Sequence, residues 1–376
     1  MTHKFFRVGL VSLVLLLALA SCNLPSVTPP AEDEPTLAAT ITAPVIATVL
    51  PATATPARQA VVISSANAQQ LKSVNKAPAA NVRTLRWSND SSTLGLVSQN
   101  LDTNGNGVFS ATLLKSSDLS VKTVWAAPDN GRITEIAADG RLAAVLSQDM
   151  KTVTLYDLGA GAKAVVKITP GYTLGGATFS PDGKFFTVTD YDDLKVSLHN
   201  LPDGSEAKVF EGFQTAAPVF DVEFAGNSKT LVWHARATIQ LQDIASGTMG
   251  KTFDHEDFVS AFTLSGDGKV LASAAGKTIN NNYVSVVLLW DAATGKELHT
   301  LALEKSAAGL SFSPDGSLLA VTTGNDVQIW EVSSGTQLAS LSGHAAPVSL
   351  VAFAPDGKSL VSCGQDNQLI LWQVLQ

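Results

Sequence analysis

The phrase Phe-Ser-Pro-Asp-Gly stands at 179–183 and again at 312–316, and it returns at 353–357 with Ala354 in place of the Ser. In each copy a turn-forming trio is followed by an apolar run. Pro presets the first dihedral of a tight turn, Asp bonds its own backbone, and Gly supplies the positive φ that closes a hairpin. A unit of this kind recurring every roughly 40 to 50 residues cannot bury its apolar face alone. It must lie against its neighbours, which restricts the chain to a solenoid or a closed ring of small sheets.

Looser copies complete the series. Trp87-Ser88-Asn89-Asp90, Ile136-Ala137-Ala138-Asp139-Gly140, Phe224-Ala225-Gly226-Asn227-Ser228 and Leu264-Ser265-Gly266-Asp267-Gly268 bring the number of units to seven. Each unit is expected to hold four antiparallel strands, a to d, with the Asp-Gly phrase between a and b. Strand c then ends on Tyr156-Asp157, His199-Asn200, Gln242-Asp243, Trp290-Asp291, Trp330-Glu331 and Trp372-Gln373. The fold class that follows is all-β, a seven-bladed propeller of four-stranded blades.

At these residues the chain resembles the WD40-repeat family, whose blades carry Gly-His ahead of strand a and Trp-Asp at the end of strand c. The resemblance covers about 61–376, and the last unit fits it best, with Gly343-His344 opening the unit and Trp372 on strand c. By that resemblance His344, Ser362, Asp366 and Trp372 form a hydrogen-bonded tetrad that locks the blade. His255, Ser273 and Trp290 match without the Asp, while Thr189 and Asp193 match with His199 in place of the Trp.

The last strand c runs to Gln376, so the seventh blade needs an outer strand from elsewhere. Residues 68–74 (Ala-Gln-Gln-Leu-Lys-Ser-Val) read like the strand d segments at 296–301 and 336–341. Pairing them beside 369–374 would close the ring and cover an exposed edge.

Ahead of the repeats, His3, Lys4 and Arg7 precede an apolar core of about 13 residues that stops at Leu19-Ala20-Ser21-Cys22. Such a core is too short to span a hydrocarbon layer of ~30 Å comfortably, and small residues sit where a peptidase must reach the backbone. The segment resembles the export signals of bacterial lipoproteins, which implies lipidation at Cys22; an ordinary signal peptide or an uncleaved anchor is the alternative. By the same resemblance, Asn23 after the Cys carries no inner-membrane retention signal. Pro25, Pro29, Pro30, Pro35, Pro44, Pro51 and Pro56 then punctuate a Thr- and Ala-rich stretch without large apolar clusters, the composition of an extended, unfolded stalk. The domain reading is 1–21 signal peptide, 22–59 stalk and 60–376 propeller. The protein is expected outside the cytoplasmic membrane, held by its lipid to that membrane's outer face or to an outer membrane.

With Cys22 lipidated, Cys363 has no disulfide partner in the chain and reads as a small buried apolar residue. A formal net charge of −8 with no dense Lys/Arg cluster argues against nucleic acid as a partner. Six histidines show no metal-ligand spacing, and His234 alone is expected in a loop. The sequence has no Gly-x-Ser-x-Gly elbow, P-loop or His-Glu-x-x-His, so neither catalysis nor a cofactor or metal is expected. Asp102-Thr103-Asn104-Gly105-Asn106-Gly107 begins like a calcium loop, but Leu113 stands where a bidentate Glu is needed, and a polar hairpin loop is the better reading.

Recognition is expected on the rim formed by the b–c and d–a loops, where Tyr191, Phe213, Arg236, Phe258 and Tyr283 combine aromatic area with charge. The segment 277–283 should lengthen one b–c hairpin beyond that rim. These readings converge on a monomeric, non-catalytic protein-binding scaffold tied to a membrane through its N-terminal lipid. Two alternatives stay open: an envelope-assembly lipoprotein, and a glycan-binding or glycan-processing protein that uses the channel mouth.

Overall fold

Strand b of each blade lies between two others and is covered on both faces by adjacent blades, and its sequence is correspondingly apolar or small. Leu318–Thr323 and Ser359–Gly364 are buried at every position. The outermost strands face solvent, as in Val121–Ala126, where Val121 and Val124 are exposed. The computed structural model describes residues 59–103, 105, 107–190, 195–211 and 221–376. Within them the strands form seven antiparallel sheets, the all-β seven-bladed propeller expected from the repeats.

Blade 1 comprises Val82–Trp87, Thr93–Leu101, Gly107–Lys115 and Val121–Ala126, and blade 2 comprises Arg132–Ile136, Leu142–Leu146, Val153–Asp157 and Lys163–Ile168. Blades 3 to 6 occupy 174–210, 221–254, 261–303 and 307–342. Blade 7 takes Val348–Phe353, Ser359–Gly364 and Gln368–Leu375 from the C-terminus and its outer strand from Lys72–Pro78. The core lies between blades. Leu318, Ala320 and Ile329 of blade 6 meet Val351, Leu360 and Ile370 of blade 7 in one cluster, and Trp87, Leu94 and Leu96 of blade 1 meet Val361, Leu369 and Leu371 in another. Cys363 belongs to that second cluster, where burial pushes its thiol up to about 12.

The a–b turns explain the repeated phrase. Ser180 Oγ donates to Asp182 at 2.7 Å and accepts from Phe185 N at 2.9 Å, and the pairs Ser88/Asp90, Ser265/Asp267 and Ser313/Asp315 repeat the arrangement. The Ser88 hydroxyl, then the Ser92 amide, hold Asp90 at about 2, well below the ordinary range. Gly183, Gly316 and Gly357 take φ of 69°, 72° and 70°; in the degenerate copies, Ser91 and Ser228 adopt 58° and 55° without a glycine. Neighbouring turns are also tied together: Asp182 N donates to Ser228 Oγ of blade 4 at 2.9 Å, and Asp356 N to Ser91 Oγ of blade 1 at 3.0 Å. Nearer the axis, the nearly buried Glu135 of blade 2 pairs with Arg86 of blade 1 and accepts from Thr178 Oγ1 and Phe179 N of blade 3 at 2.7 and 2.6 Å.

The closure has the expected edge but a different register. The outer strand of blade 7 is Lys72–Pro78, pairing Lys72 with Gln373 and Pro78 with Gln368. Residues Ala68–Gln70, read from the sequence as part of that strand, form a 3₁₀ turn instead. Asn67 sets this turn: its side-chain oxygen accepts from Ser64 N at 2.8 Å and its amide donates to Val62 O at 2.9 Å, bending the chain before it reaches the sheet. A short second strand, Ala60–Val61, pairs with Leu375 and Val374, and Gln59 and Gln376 exchange backbone hydrogen bonds of 3.0 and 3.1 Å. His234, expected in a loop, lies on strand b of blade 4 (Thr230–Ala235) and is buried.

Two contacts complete the seam. Trp87 Nε1 donates to Ala352 O at 3.1 Å, and Lys76 Nζ to Gly343 O at 3.0 Å. Deleting the chain through Pro78 removes a whole ladder and exposes the edge of Gln368–Leu375, and is expected to cost several kcal/mol, a large share of the stability of an ordinary domain. Chemical denaturation followed by tryptophan fluorescence checks this; a truncated protein with the parent's midpoint would refute closure by the N-terminal strand.

Candidate binding rim

On one rim the blades are held by polar locks under the d–a loops, and blade 7 has the fullest one. Trp372 Nε1 donates to Ser362 Oγ at 2.8 Å, and Ser362 Oγ lies 2.8 Å from His344 Nε2. His344 Nδ1 faces both carboxylate oxygens of Asp366 at 3.0 and 3.1 Å. Since Nδ1 meets only acceptors, it carries the proton there, which leaves Nε2 to accept from the serine hydroxyl. Asp366 also accepts from Ala345 N at 2.9 Å, tying the d–a loop to the b–c turn. Gly343 is required at its position: a Cβ would come within 2.9 Å of the Trp372 ring.

Other blades meet the same need with different groups. In blade 5, Trp290 Nε1 donates to Ser273 Oγ at 2.9 Å and Ser273 Oγ sits 2.7 Å from His255 Nε2. The missing Asp is replaced by the Ala237 carbonyl of blade 4, 3.0 Å from His255 Nδ1. Blade 4 puts the indole on strand b, where Trp233 Nε1 donates to Gln242 Oε1 at 3.0 Å. In blade 3, His199 stacks on Phe186 at 5.0 Å and bonds Ser197 Oγ and Gly204 O at 2.9 and 3.0 Å; Asp193 lies outside the described residues.

The same rim brings Arg236, Phe258 and Tyr283 together on blades 4 and 5; Tyr191 and Phe213 lie outside the described residues. Arg236 takes a left-handed φ of 45° in the b–c turn of blade 4. Phe258, 50% exposed, stands in the following d–a loop with its edge toward buried His234, ring centroids 5.8 Å apart. Burial pushes His234 below its ordinary pKa, so a neutral ring forms the floor of the patch. Segment 277–283 extends the blade 5 hairpin as regular strands, Val270–Ile279 and Asn282–Asp291, turned by Asn280 and Asn281 at φ 50° and 63°.

Tyr283 is 64% exposed, yet it is held: its ring covers Gly276, where a Cβ would collide with it, and its hydroxyl donates to Asp257. The Tyr283 hydroxyl, then the Phe258 amide, and then the Arg236 charge keep Asp257 below the usual carboxylate range. Glu256 completes the strap by accepting from Thr278 N at 2.8 Å. Sequence reasoning passed over Glu256, since only the folded hairpin brings residue 278 to it. Asp102 belongs to the b–c connection of blade 1, while Asn104 and Asn106 lie outside the described residues, as does Cys22. Among the described residues no group of His, Cys, Asp and Glu is placed to hold a metal, and no helix is long and apolar enough to cross a membrane.

Replacing Trp372 by Ala removes a buried indole and leaves Ser362 without its donor, and the expected loss is about 3–5 kcal/mol. Equilibrium unfolding in urea measures it; an unchanged midpoint would show that the blade 7 lock contributes nothing.

The family model for the WD domain, G-beta repeat, matches residues 335–373, which run from the edge of blade 6 through the blade 7 lock. The intraflagellar transport protein 122 homolog of Xenopus tropicalis is 43% identical over 70 residues, 19% of this chain and 6% of that protein. The small ribosomal subunit protein RACK1 of Candida albicans is 31% identical over 142 residues, 35% of this chain and 43% of that protein. An uncharacterized WD repeat-containing protein of Synechocystis sp. is 31% identical over 120 residues, 31% of this chain and 32% of that protein. The chain thus spans less than half the length of each of these relatives. The match to one WD repeat in blade 7 and the likeness to a WD repeat-containing protein agree with the WD40-type repeats read from the sequence.

Proposed function

We propose that this protein is a non-catalytic scaffold that captures a protein partner on its b–c and d–a rim, and that it does so outside the cytoplasmic membrane, tethered through a lipid on Cys22. WD40 propellers are typically protein-interaction scaffolds. The observation that carries the reading is the patch of Arg236, Asp257, Phe258 and Tyr283. Two exposed aromatic residues are held by hydrogen bonds to Asp257 and a ring contact to His234, with the Arg236 charge acting on the same carboxylate. Pre-ordered aromatic area beside an arginine is the composition that dominates interface energies, and fixing it in advance lowers the entropy lost on binding. The leader and stalk composition supports the export and anchoring half of the proposal.

Crosslinking in intact cells followed by mass spectrometry tests the rim. Phe258→Ala with Tyr283→Ala is expected to abolish recovery of the wild-type partner while stability changes by roughly 0.5 kcal/mol or less, as for exposed sites. Asp182→Ala and Asp315→Ala, in turns at the opposite rim, are expected to lower stability and leave capture intact. The reverse pattern would place binding on the other face.

Anchoring is tested separately. Cys22→Ser is expected to move the protein from the membrane to the soluble fraction, because a hydroxyl cannot accept the thioether and each buried lipid methylene contributes ~0.8 kcal/mol. Mature protein retaining an intact Met1 terminus would overturn this part.

A further inference from the structure

Blade 2 lacks the polar lock altogether, and a groove lies in its place. Strand pairing sets Tyr156 opposite Ala143 in blade 2 as it sets Trp372 opposite Leu360 in blade 7, so Val145 occupies the position of Ser362. Asp149 corresponds to Asp366: each accepts from the backbone N–H two residues on, Lys151 N at 3.0 Å and Gln368 N at 3.1 Å. The loop that carries His344 in blade 7 is replaced by Pro128–Asn130, with Asp129 and Asn130 both left-handed at φ 53° and 51°. With serine and histidine gone and tyrosine in place of tryptophan, an open groove of ≈ 560 Å³ remains, running from Asp129 across strands c and d to Lys167.

The floor of the groove is aromatic. Tyr156 is half-buried and lies against Trp125 with ring centroids 5.1 Å apart, which fixes its plane. Around it stand Asp129, Gln148, Asp149 and Lys167, with the Ser147, Thr152 and Thr154 hydroxyls between them. Burial and then the Asp129 carboxylate raise Tyr156 above its ordinary pKa, consistent with a carboxylate close to the phenol. The lining carries two carboxylates and one ammonium, with a further cation at adjacent Lys151, whose Nζ donates to Thr173 Oγ1 at 3.0 Å. These charges largely cancel, so the field selects neither an anion nor a cation. What remains is a flat apolar platform ringed by planar amide and carboxylate groups and hydroxyls, donors and acceptors interspersed.

We infer that this groove is a binding site for a neutral saccharide, stacked by one ring face on Tyr156 with its hydroxyls held by Asp129, Gln148 and Asp149. Its size suits a ligand of about two sugar rings. The site is on blade 2, away from the aromatic patch of blades 4 and 5, so it stands independently of the protein-capture reading.

Isothermal titration of the full chain with maltotetraose, cellotetraose and chitotetraose tests it. At least one is expected to bind with a Kd of about 1 mM or tighter. Tyr156→Ala is expected to weaken that binding at least tenfold, roughly 1.4 kcal/mol, whereas Tyr156→Phe keeps the platform and most of the affinity. Ala164→Trp, from an exposed groove-lining position, fills the space without touching the core and is expected to abolish binding with an unchanged melting temperature. No heat with any of the three at about 10 mM would overturn the inference. So would sugar binding that survives Ala164→Trp, or binding of an arginine-containing peptide in place of the sugars.

Discussion

Everything in this fold depends on the antiparallel ladder between the strand ahead of blade 1 and the last strand. A propeller blade has no interior of its own; its apolar faces are buried only because another blade lies on each side, and in an open ring the two end blades would each present a bare face to water. Here the two ends of the propeller are joined within one sheet, with Lys72–Pro78 along Gln368–Leu375 and the Gln59 and Gln376 backbones bonded to each other. The immediate continuation of the N-terminal strand is blade 1, so this ladder also holds blade 1 against blade 7, where Trp87 reaches the Ala352 carbonyl. Packing, turn links and the rim loops all inherit their positions from that closure.

The turns were the most legible part of the sequence because their chemistry is local. Ser, Asp and Gly at fixed offsets satisfy one another within five residues, so the phrase and its geometry coincide at Ser180, Ser265 and Ser313. Strand count and order follow, since each turn fixes one hairpin. The closing strand was legible in kind but not in register. Its alternation pattern extends back to Ala68, and what displaces it is Asn67, a single side chain that bonds backward to Ser64 and Val62 and bends the chain just ahead of the 3₁₀ turn. His234 misled for a related reason: a polar residue beside Arg236 reads as loop, whereas its ring is buried against Phe258 and Phe262, with Nε2 satisfied by the Arg236 carbonyl.

The rim was legible in part. Arg236, Phe258 and Tyr283 could be named as loop aromatics and a charge, but their convergence depends on Asp257, Glu256 and the absence of a side chain at Gly276, and those relations span up to 26 residues. The blade 2 groove was not legible at all. A missing histidine and a missing serine look in sequence like a degenerate repeat; only the strand register shows that Val145, Asp149 and Tyr156 surround the space that the lock fills in blade 7.

A ring can tolerate one unlocked blade because its stability is a sum of blade and neighbour terms, and a deficit in one term can be offset by an adjacent one. Blade 2 has such an offset. Its inner strand carries Glu135, whose carboxylate binds Arg86 of blade 1 and both Thr178 and Phe179 of blade 3, so the blade with the emptied outer lock is held toward the axis by charge-assisted bonds to both neighbours. Arg141, in the connection just before strand b, adds a pair at 2.7 Å with Asp157 at the end of strand c. The two ends of the blade are therefore specialised in opposite directions. One is fixed by buried charge, and the other is released from structural duty, which frees the Pro128–Asn130 loop and the face of Tyr156 to meet a ligand without loosening the ring.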